Sequence, residues 1–230
     1  MRMLGMQGRR AHNGAHCPST SSFSPTRPHA MIDTLPPLDT PLDASSHSRL
    51  YPYVVQRAWV DAHDPQGEVS EPFSDDVFVT LVFDGPAGLR RLQREDLCAA
   101  GLTFEEAFTQ AASNLSRAWT ARHFEFGIAR LDDGTPIAGC RGNWMAPAGG
   151  LVLGNLYQSM VEHFEVTDFA AVAVNRTLLL AFPTDAKTLS SLALRQLVEG
   201  ASSGAILPIA RSWLRLDGEW PSAYRGVPAF

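Results

Sequence analysis

Residues 200–204, Gly-Ala-Ser-Ser-Gly, match the GxSxG pattern in which a serine can act as a nucleophile. In that motif a sharp turn between a strand and a helix exposes the serine above a sheet. Here the pattern follows a predicted helix, for which Gly200 is the expected stop, and no histidine follows His163 in the chain. The order of serine, acid and histidine cannot be completed, so we predict that Ser202 is not catalytic.

A second group of chemically active residues is Glu162-His163-Phe164-Glu165, which contains two carboxylates and an imidazole. Metal ligands on one helical face recur every three or four residues, a spacing that only Glu162 and Glu165 meet. We predict that His163 packs its ring at the edge of an apolar stripe and keeps its nitrogens in water. His63 and His123 are isolated and receive the same interpretation, so no metal site is expected.

The three cysteines, Cys17, Cys98 and Cys140, are an odd number, lie far apart and form no CxxC pair. This pattern argues against a disulfide framework and a zinc knuckle, and it favours a reducing, cytoplasmic location. Cys98 and Cys140 are expected to be buried and unreactive, because no basic or helix-start environment is evident around them. No GxGxxG or Walker lysine motif occurs, so no cofactor is expected.

An enzyme with a dispersed site is the alternative that residue spacing leaves open. A hydrolase or small-ligand enzyme of this kind would assemble its site from polar groups that are distant in the sequence. The candidates are Asp84, Glu95, Asp96, His123, His163 and Arg176. Trp213 and Trp220 could line a ligand pocket, although core packing or edge protection is the more common role of such residues.

Charge is distributed unevenly along the chain. Residues 1–32 contain four arginines and no acid, which leaves 15 basic against 24 acidic residues, a net charge of −9, for the remainder. An acidic body repels the phosphate backbone, so nucleic-acid binding is not expected. The longest uncharged stretch, residues 142–161, is interrupted by a proline, glycines and asparagines, so we predict no membrane helix.

Order is expected to begin near Arg49. Residues 1–48 are rich in Ser, Pro, Thr, Gly and His and show no hydrophobic period, so they are predicted to form a disordered tail. Met31 is an alternative translation start, which would make residues 1–30 a start-site extension. Residues 49–230 are predicted to form a single domain.

The segment 92–119 contains the clearest helix signals. Residues 95–100 predict a short helix that ends at Gly101, a residue that accepts the left-handed conformation. Thr103 and Glu106 then form a capping box at the start of a helix with one continuous apolar stripe. Asn114 lies at the edge of that stripe, where we expect its amide to hydrogen-bond neighbouring backbone.

The remaining patterns predict mainly hairpins. Strand signals occur at 75–84 with 89–92, at 124–131 with 135–145, at 151–153, at 169–174 with 177–182 and at 212–220. The apolar pair 169–174 and 177–182 should lie at the centre of a sheet, covered on both faces. Further helices are expected from Asn155, as the capping residue, and at 185–199. We therefore predict an α+β fold: a mostly antiparallel sheet with three or four packed amphipathic helices.

The order of these segments resembles the YtpQ-like family of bacterial proteins of unknown function. Three segments are similar to its entry, its first strand and its signature helical pair: Arg49-Leu-Tyr-Pro-Tyr-Val-Val, 78–84 and 92–115. Residues 170–180 resemble its apolar hairpin and residues 207–218 its closing segment. Thr177 stands where the family often has an acid, and Leu156-Tyr-Gln-Ser159 where it has an Asp-Ala-Ser-like helix entry. The family has no established activity, so the resemblance implies a fold and leaves the function open.

The sequence shows no arrangement of acid, base and nucleophile, which favours a binding function over catalysis. We expect a soluble, cytoplasmic, non-catalytic protein-binding or interaction module, whose acidic surface would engage a basic protein. Self-association as a structural protein is a third hypothesis.

Overall fold

The computed structural model describes residues 35–39, 41–43, 45–121, 125–142, 147–203, 209 and 212–226. The strands in these ranges are β1 Leu50–Gln56, β2 Ser70–Pro72, β3 Val77–Gly85, β4 Gly88–Arg91, β5 Glu125–Arg130, β6 Pro136–Arg141, β7 Phe169–Asn175, β8 Leu178–Pro183, β9 Leu214–Leu216 and β10 Ser222–Ala223. The helices are α1 Arg57–His63, α2 Arg94–Ala99, α3 Phe104–Thr120, α4 Gly154–Phe164, α5 Ala186–Leu189 and α6 Leu192–Ser203, with short 3-10 helices at Ser46–Arg49 and Ala148–Val152. The strands pair antiparallel in two sheets, so the predicted α+β fold is confirmed.

The first sheet is built around β3. On one side β1 pairs along its length, from Leu50 opposite Phe83 to Gln56 opposite Val77. On the other side β2 pairs with residues 78–80 and β4 with residues 82–85. The predicted pairing of 75–84 with 89–92 is thereby confirmed, with slightly different ends.

The second sheet has six antiparallel strands in the order β10-β9-β7-β8-β6-β5. The residues of β7 alternate between two cores: Phe169, Ala171 and Ala173 face the main core, and Ala170, Val172 and Val174 face a smaller one. Leu194 and Val198 of α6 close the smaller core. The central hairpin is therefore covered on both faces, as its apolar sequence predicts.

The start of α3 carries the predicted capping box. The Glu106 amide donates to Thr103 Oγ1 at 3.2 Å, and the Thr103 amide donates to the Glu106 carboxylate at 2.9 Å. Gly101, which follows α2, has a φ of +68°, so its left-handed conformation is confirmed. The buried residues of α3 include Ala107, Phe108, Ala111, Leu115 and Ala118, which all belong to the predicted stripe.

Asn114 joins α3 to the start of β1. Its side chain is buried, and its Nδ2 donates to the carbonyl oxygens of His47 at 2.7 Å and Leu50 at 2.8 Å. Its Oδ1 accepts from Gln110 Nε2 at 2.9 Å and also from Arg117. The hydrogen-bonding capacity of the amide is thus used in full, and its predicted structural role is confirmed.

Asp133 ties the β5–β6 turn to α6. Its carboxylate accepts from the Thr135 amide at 2.9 Å and from Ser191 Oγ at 2.6 Å. Ser191 Oγ in turn accepts from the Leu194 amide at 3.0 Å, so it caps the first turn of α6. The hydrogen bonds from Ser191 and Thr135 lower the pKa of Asp133 to about 2.

Several predicted elements differ in the structure. Residues 151–153 are not a strand: Pro147 has helical backbone angles, and the 3-10 helix Ala148–Val152 follows it. Asn155 does not cap α4, because the helix already begins at Gly154 and the Asn155 side chain accepts only from the Leu156 amide. Gly150 of this 3-10 helix packs closely on the core, since a Cβ there would lie 3.1 Å from Leu156 and 3.3 Å from Leu179.

The predicted helix 185–199 is two helices, and Gly200 is not its stop. Ser191 uses its hydroxyl as a cap, which begins a new helix after α5. Gly200 does not adopt a left-handed conformation, and α6 continues to Ser203. Tertiary packing of the α6 stripe against the smaller core outweighs the modest helix propensity of one glycine.

Ordered packing begins before the predicted boundary at residue 49. Leu42 is 6% exposed, Leu35 and Leu38 pack against the main core, and the Arg91 amide donates to the Pro36 carbonyl at 3.0 Å. Residues 1–34, 40 and 44 of the predicted tail, like residues 143–146 of the predicted strand 135–145, lie outside the described residues. Within the described ranges, no helix is both long and apolar enough to cross a bilayer.

We predict that Asn114→Ala lowers the free energy of unfolding by about 2–4 kcal/mol, because two buried carbonyls lose their donor. Urea denaturation measures the change. Ser113→Ala, on the exposed side of the same helix turn, should change it by less than about 0.5 kcal/mol. Equal stability of the two variants would contradict the role given to Asn114.

We predict a pH-dependent loss of stability for Asp133→Asn. The folded pKa of about 2 lies below the unfolded value of about 3.9, so the ionised carboxylate stabilises the fold at neutral pH. That contribution is lost as the pH falls below about 4 toward 2. Thermal unfolding should therefore separate wild type and variant at pH 7, and the two curves should converge in acid. Asp132→Asn, one residue earlier, should track wild type throughout.

Candidate functional site

The predicted polar site residues that the structure describes lie on different elements, except that Glu95 and Asp96 are both on α2. Asp84 is half-buried near the end of β3. The pKa of Tyr51 is raised, mainly by the burial of Tyr51 and secondly by the negative charge of Asp84. Glu95 is exposed on α2. Asp96, also on α2, accepts from the Gln93 amide at 2.8 Å and completes a capping box at the helix start. Burial is the main cause that raises the pKa of Asp96.

His163 and Arg176 lie on other elements again. His163 is exposed in the last turn of α4, with its ring edge-on to Phe164 at 5.2 Å. The Arg176 guanidinium, in the β7–β8 turn, lies 4.8 Å from the ring centre of buried Tyr53. This cation–π contact connects the two sheets. His123 lies outside the described residues.

The structure brings together only Glu95 and Asp96 from the predicted set. Among the residues described, no contact joins any other two of the candidates. The same part of the chain contains no group of three or more His, Cys, Asp or Glu side chains that could hold a metal ion. A dispersed catalytic pocket therefore gains no geometric support from these residues.

The other candidates from the sequence are two cysteines and a serine. Cys140 is buried, and burial raises its pKa to about 12, which suppresses the reactive thiolate. Ser202 is buried within α6, not on a turn above a sheet. Cys98 is half-buried and disulfide-bonded, so the expectation that it is a free, buried thiol was wrong. The cytoplasmic prediction loses the support that it drew from the cysteines.

An aromatic cluster lies where β2, α3 and the β9–β10 connection meet; we call Phe73, Phe104, Phe108 and Trp220 the Trp220 patch. Ring centres are 5.1 Å apart for Phe73 and Trp220, 5.5 Å for Phe108 and Trp220, and 5.9 Å for Phe104 and Phe108. Phe73 and Phe108 are buried, whereas Phe104 and Trp220 are half-buried. The cluster thus continues the main core to the protein surface.

Local structure fixes the position of each ring. Phe104 and Phe108 are one turn apart on α3, so they share a face. Trp220 follows the bend at Asp217-Gly218, where Gly218 has a φ of +92° that favours glycine. The Trp220 indole Nε1 donates to the Pro72 carbonyl at 3.1 Å, which orients the ring against β2.

Six acidic residues lie within three positions of Phe73, within two of Phe104 or next to Trp220 in the sequence. They are Glu71, Asp75, Asp76, Glu105, Glu106 and Glu219. Glu106 and Asp76 also accept structural hydrogen bonds, from Thr103 and from Ser212 Oγ. No ion pair in the described part of the chain involves any of the six. Within the described residues, their negative charge is therefore not neutralised by ion pairing.

Glu71 is the least solvated of these acids. It is half-buried on β2, and burial alone raises its pKa. Across the described residues, neither a hydrogen bond nor a nearby cation offsets this burial. A carboxylate in this state favours an external cation, because pairing with one would restore the electrostatic stabilisation that it lost on leaving water.

Sequence reasoning identified Trp220 but not its surroundings. Trp213, the other tryptophan singled out, is buried against Phe182 at 4.7 Å, so it has the expected packing role. Trp220 meets residues that precede it by 148 positions, as its bond to Pro72 shows. No spacing rule connects such distant residues.

Comparisons with known proteins identify no relative: no family model matches the chain, and neither does any curated protein or solved structure.

Proposed function

We propose that this protein is a non-catalytic interaction module that binds a basic protein segment at the Trp220 patch. The observation that carries the proposal is an aromatic cluster that reaches the surface through the half-buried rings of Phe104 and Trp220, with six neighbouring acids that form no ion pair among the described residues. Tryptophan is enriched among the residues that dominate binding energy at protein interfaces.

The chemistry of the patch favours lysine and arginine on the partner. A cation over the indole face contributes about 0.5–2 kcal/mol, depending on its desolvation. A basic segment that also reaches β2 would neutralise Glu71, whose burial raises its pKa. The net charge of −9 on residues 33–230 adds long-range attraction for a basic protein and repulsion for nucleic acid.

We also propose, on the sequence alone, that the chain belongs to the YtpQ-like family and that the protein is cytoplasmic. Separating host cell fractions with an antibody to the protein tests the location directly.

We predict that Glu71→Gln stabilises the free protein at pH 7. The pKa of Glu71 is raised in the folded protein, so its ionised form destabilises the folded state at neutral pH. Below the unfolded pKa of about 4.3 the carboxyl is protonated in both states, and this destabilisation is absent. The variant should therefore have the higher melting temperature at pH 7, and the difference should vanish as the pH falls below about 4. Glu219→Gln, an exposed acid of the same patch that lies outside any helix, is the matched control and should leave the melting temperature unchanged. A less stable Glu71→Gln protein would show that the carboxylate has a structural partner.

We predict that the double variant Glu105→Gln/Glu219→Gln binds its protein partner roughly three- to tenfold more weakly, because two exposed charges at the patch are lost. The full-length protein is used to isolate partners from its host, and the affinity of each purified partner is then measured by calorimetry at two salt concentrations. Binding through the acids should weaken as salt increases.

The matched control is Glu162→Gln/Glu199→Gln, which removes the same charge from exposed positions on α4 and α6. It should bind like wild type. A partner that both double variants retain equally would contradict the proposed surface, as would the recovery of no partner protein at all.

A further inference from the structure

The side chain of Glu71 lies on a face of β2 that is otherwise apolar. Side chains alternate between the two faces of a strand, so Glu71 shares its face with Val69 and Phe73, which flank β2 and are both buried. The Phe73 amide donates to the Val77 carbonyl at 2.8 Å, so the pairing with β3 continues as far as this ring. Directly opposite Glu71, on the same face, lies fully buried Val79. The half-buried carboxylate therefore interrupts a row of apolar side chains.

Trp220 reaches the same part of β2 from a distant part of the chain. Its indole Nε1 donates to the carbonyl of Pro72, the residue after Glu71, at 3.1 Å. Its ring centre is 5.1 Å from that of Phe73, which shares the face of Glu71. Consecutive Cα atoms are only about 3.8 Å apart, so adjacent residues of one strand position the indole and the carboxylate. One ligand side chain can therefore contact both groups.

The rings of the Trp220 patch do not form a cage. Sites that enclose an ammonium ion hold it between the faces of separated aromatic rings. Here the rings contact one another, with centres 5.1 to 5.9 Å apart, so they fill the space between them. The accessible surface is the outer side of half-buried Phe104 and Trp220. This arrangement favours a flat cation that stacks on a ring over a compact cation that needs an enclosure.

The apolar neighbours of Glu71 favour the same kind of cation. A lysine ammonium is compact and strongly hydrated, and it loses that hydration when it pairs with a carboxylate in an apolar row. An arginine guanidinium is more weakly hydrated, stacks on aromatic faces and can donate two parallel hydrogen bonds to one carboxylate. The desolvation that opposes lysine at this position is therefore smaller for arginine.

We propose that the partner contributes an arginine whose guanidinium stacks on the Trp220 ring and pairs with Glu71. This inference rests on the proposed function, since it names the side chain that the Trp220 patch binds. Glu71 is then the residue that selects arginine over lysine. The exposed acids Glu105 and Glu219 attract either cation, because their charges act through water.

The test uses three synthetic nonapeptides of serine and glycine that carry three arginines, three lysines or three citrullines. Citrulline has nearly the shape of arginine but no charge. Each peptide is titrated into the full-length protein while the indole N–H signals are followed by nuclear magnetic resonance. The chain has five tryptophans, and the signal that is lost in Trp220→Phe belongs to Trp220.

The arginine peptide should move the Trp220 signal and bind at least about threefold more tightly than the lysine peptide. The citrulline peptide should bind at least about tenfold more weakly than the arginine peptide, because it lacks the charge.

Glu71→Gln tests the selecting residue. It should bring the ratio of arginine to lysine affinity toward one, and its melting temperature verifies that it is folded. The matched control is Glu162→Gln, which removes the same charge from an exposed position on α4. It should leave both affinities unchanged. An affinity ratio that Glu71→Gln does not alter would overturn the role of Glu71.

The outcomes separate this inference from the proposed function. If the two cationic peptides bind equally and both move the Trp220 signal, the choice of arginine is wrong and the binding of a basic segment stands. If neither peptide moves that signal, both proposals fail at this surface.

Discussion

The apolar character of the β7–β8 hairpin is the constraint on which the rest of the structure depends. Consecutive residues of both strands are apolar, so both faces of the hairpin must be removed from water. One face joins the main core, to which the first sheet and α3 contribute, and the other receives α6. These two layers account for the positions of the remaining elements: β6 and β5 extend the sheet on one side, and β9 and β10 extend it on the other.

That layering brings together polar groups that the chain separates widely. The position of α6 places Ser191 where it can donate to Asp133, which fixes the turn of the β5–β6 hairpin. The β9–β10 connection carries Trp220 to β2 and α3. Asn114 satisfies two carbonyls at the entrance to β1, so the first sheet and α3 share a buried hydrogen-bonding centre. The surface proposed for binding is a consequence of this packing and not of local motifs.

The parts of the fold that the sequence predicts correctly are those that local chemistry determines. Thr103 and Glu106 satisfy each other's backbone groups within one helix turn, and Gly101 needs only its own freedom to adopt a positive φ. The central hairpin follows from the apolar runs alone. The prediction fails where distant contacts decide: Gly200 stays helical because α6 packs on the smaller core, and Ala148–Val152 forms a 3-10 turn beneath Leu156.

The candidate site was less predictable than the fold for the same reason. The polar residues chosen for their reactivity, such as Asp96, turn out to serve capping and packing, whereas the acids near Trp220 had no local pattern. Glu71 is informative because burial raises its pKa and no hydrogen bond or ion pair among the described residues offsets that burial. A glutamine of the same size would fill its position without the cost of burying a charge. Residues that oppose folding without a structural partner are commonly retained for function. A half-buried carboxylate that forms no ion pair within the described residues is the kind of group that the proposed cationic partner would stabilise.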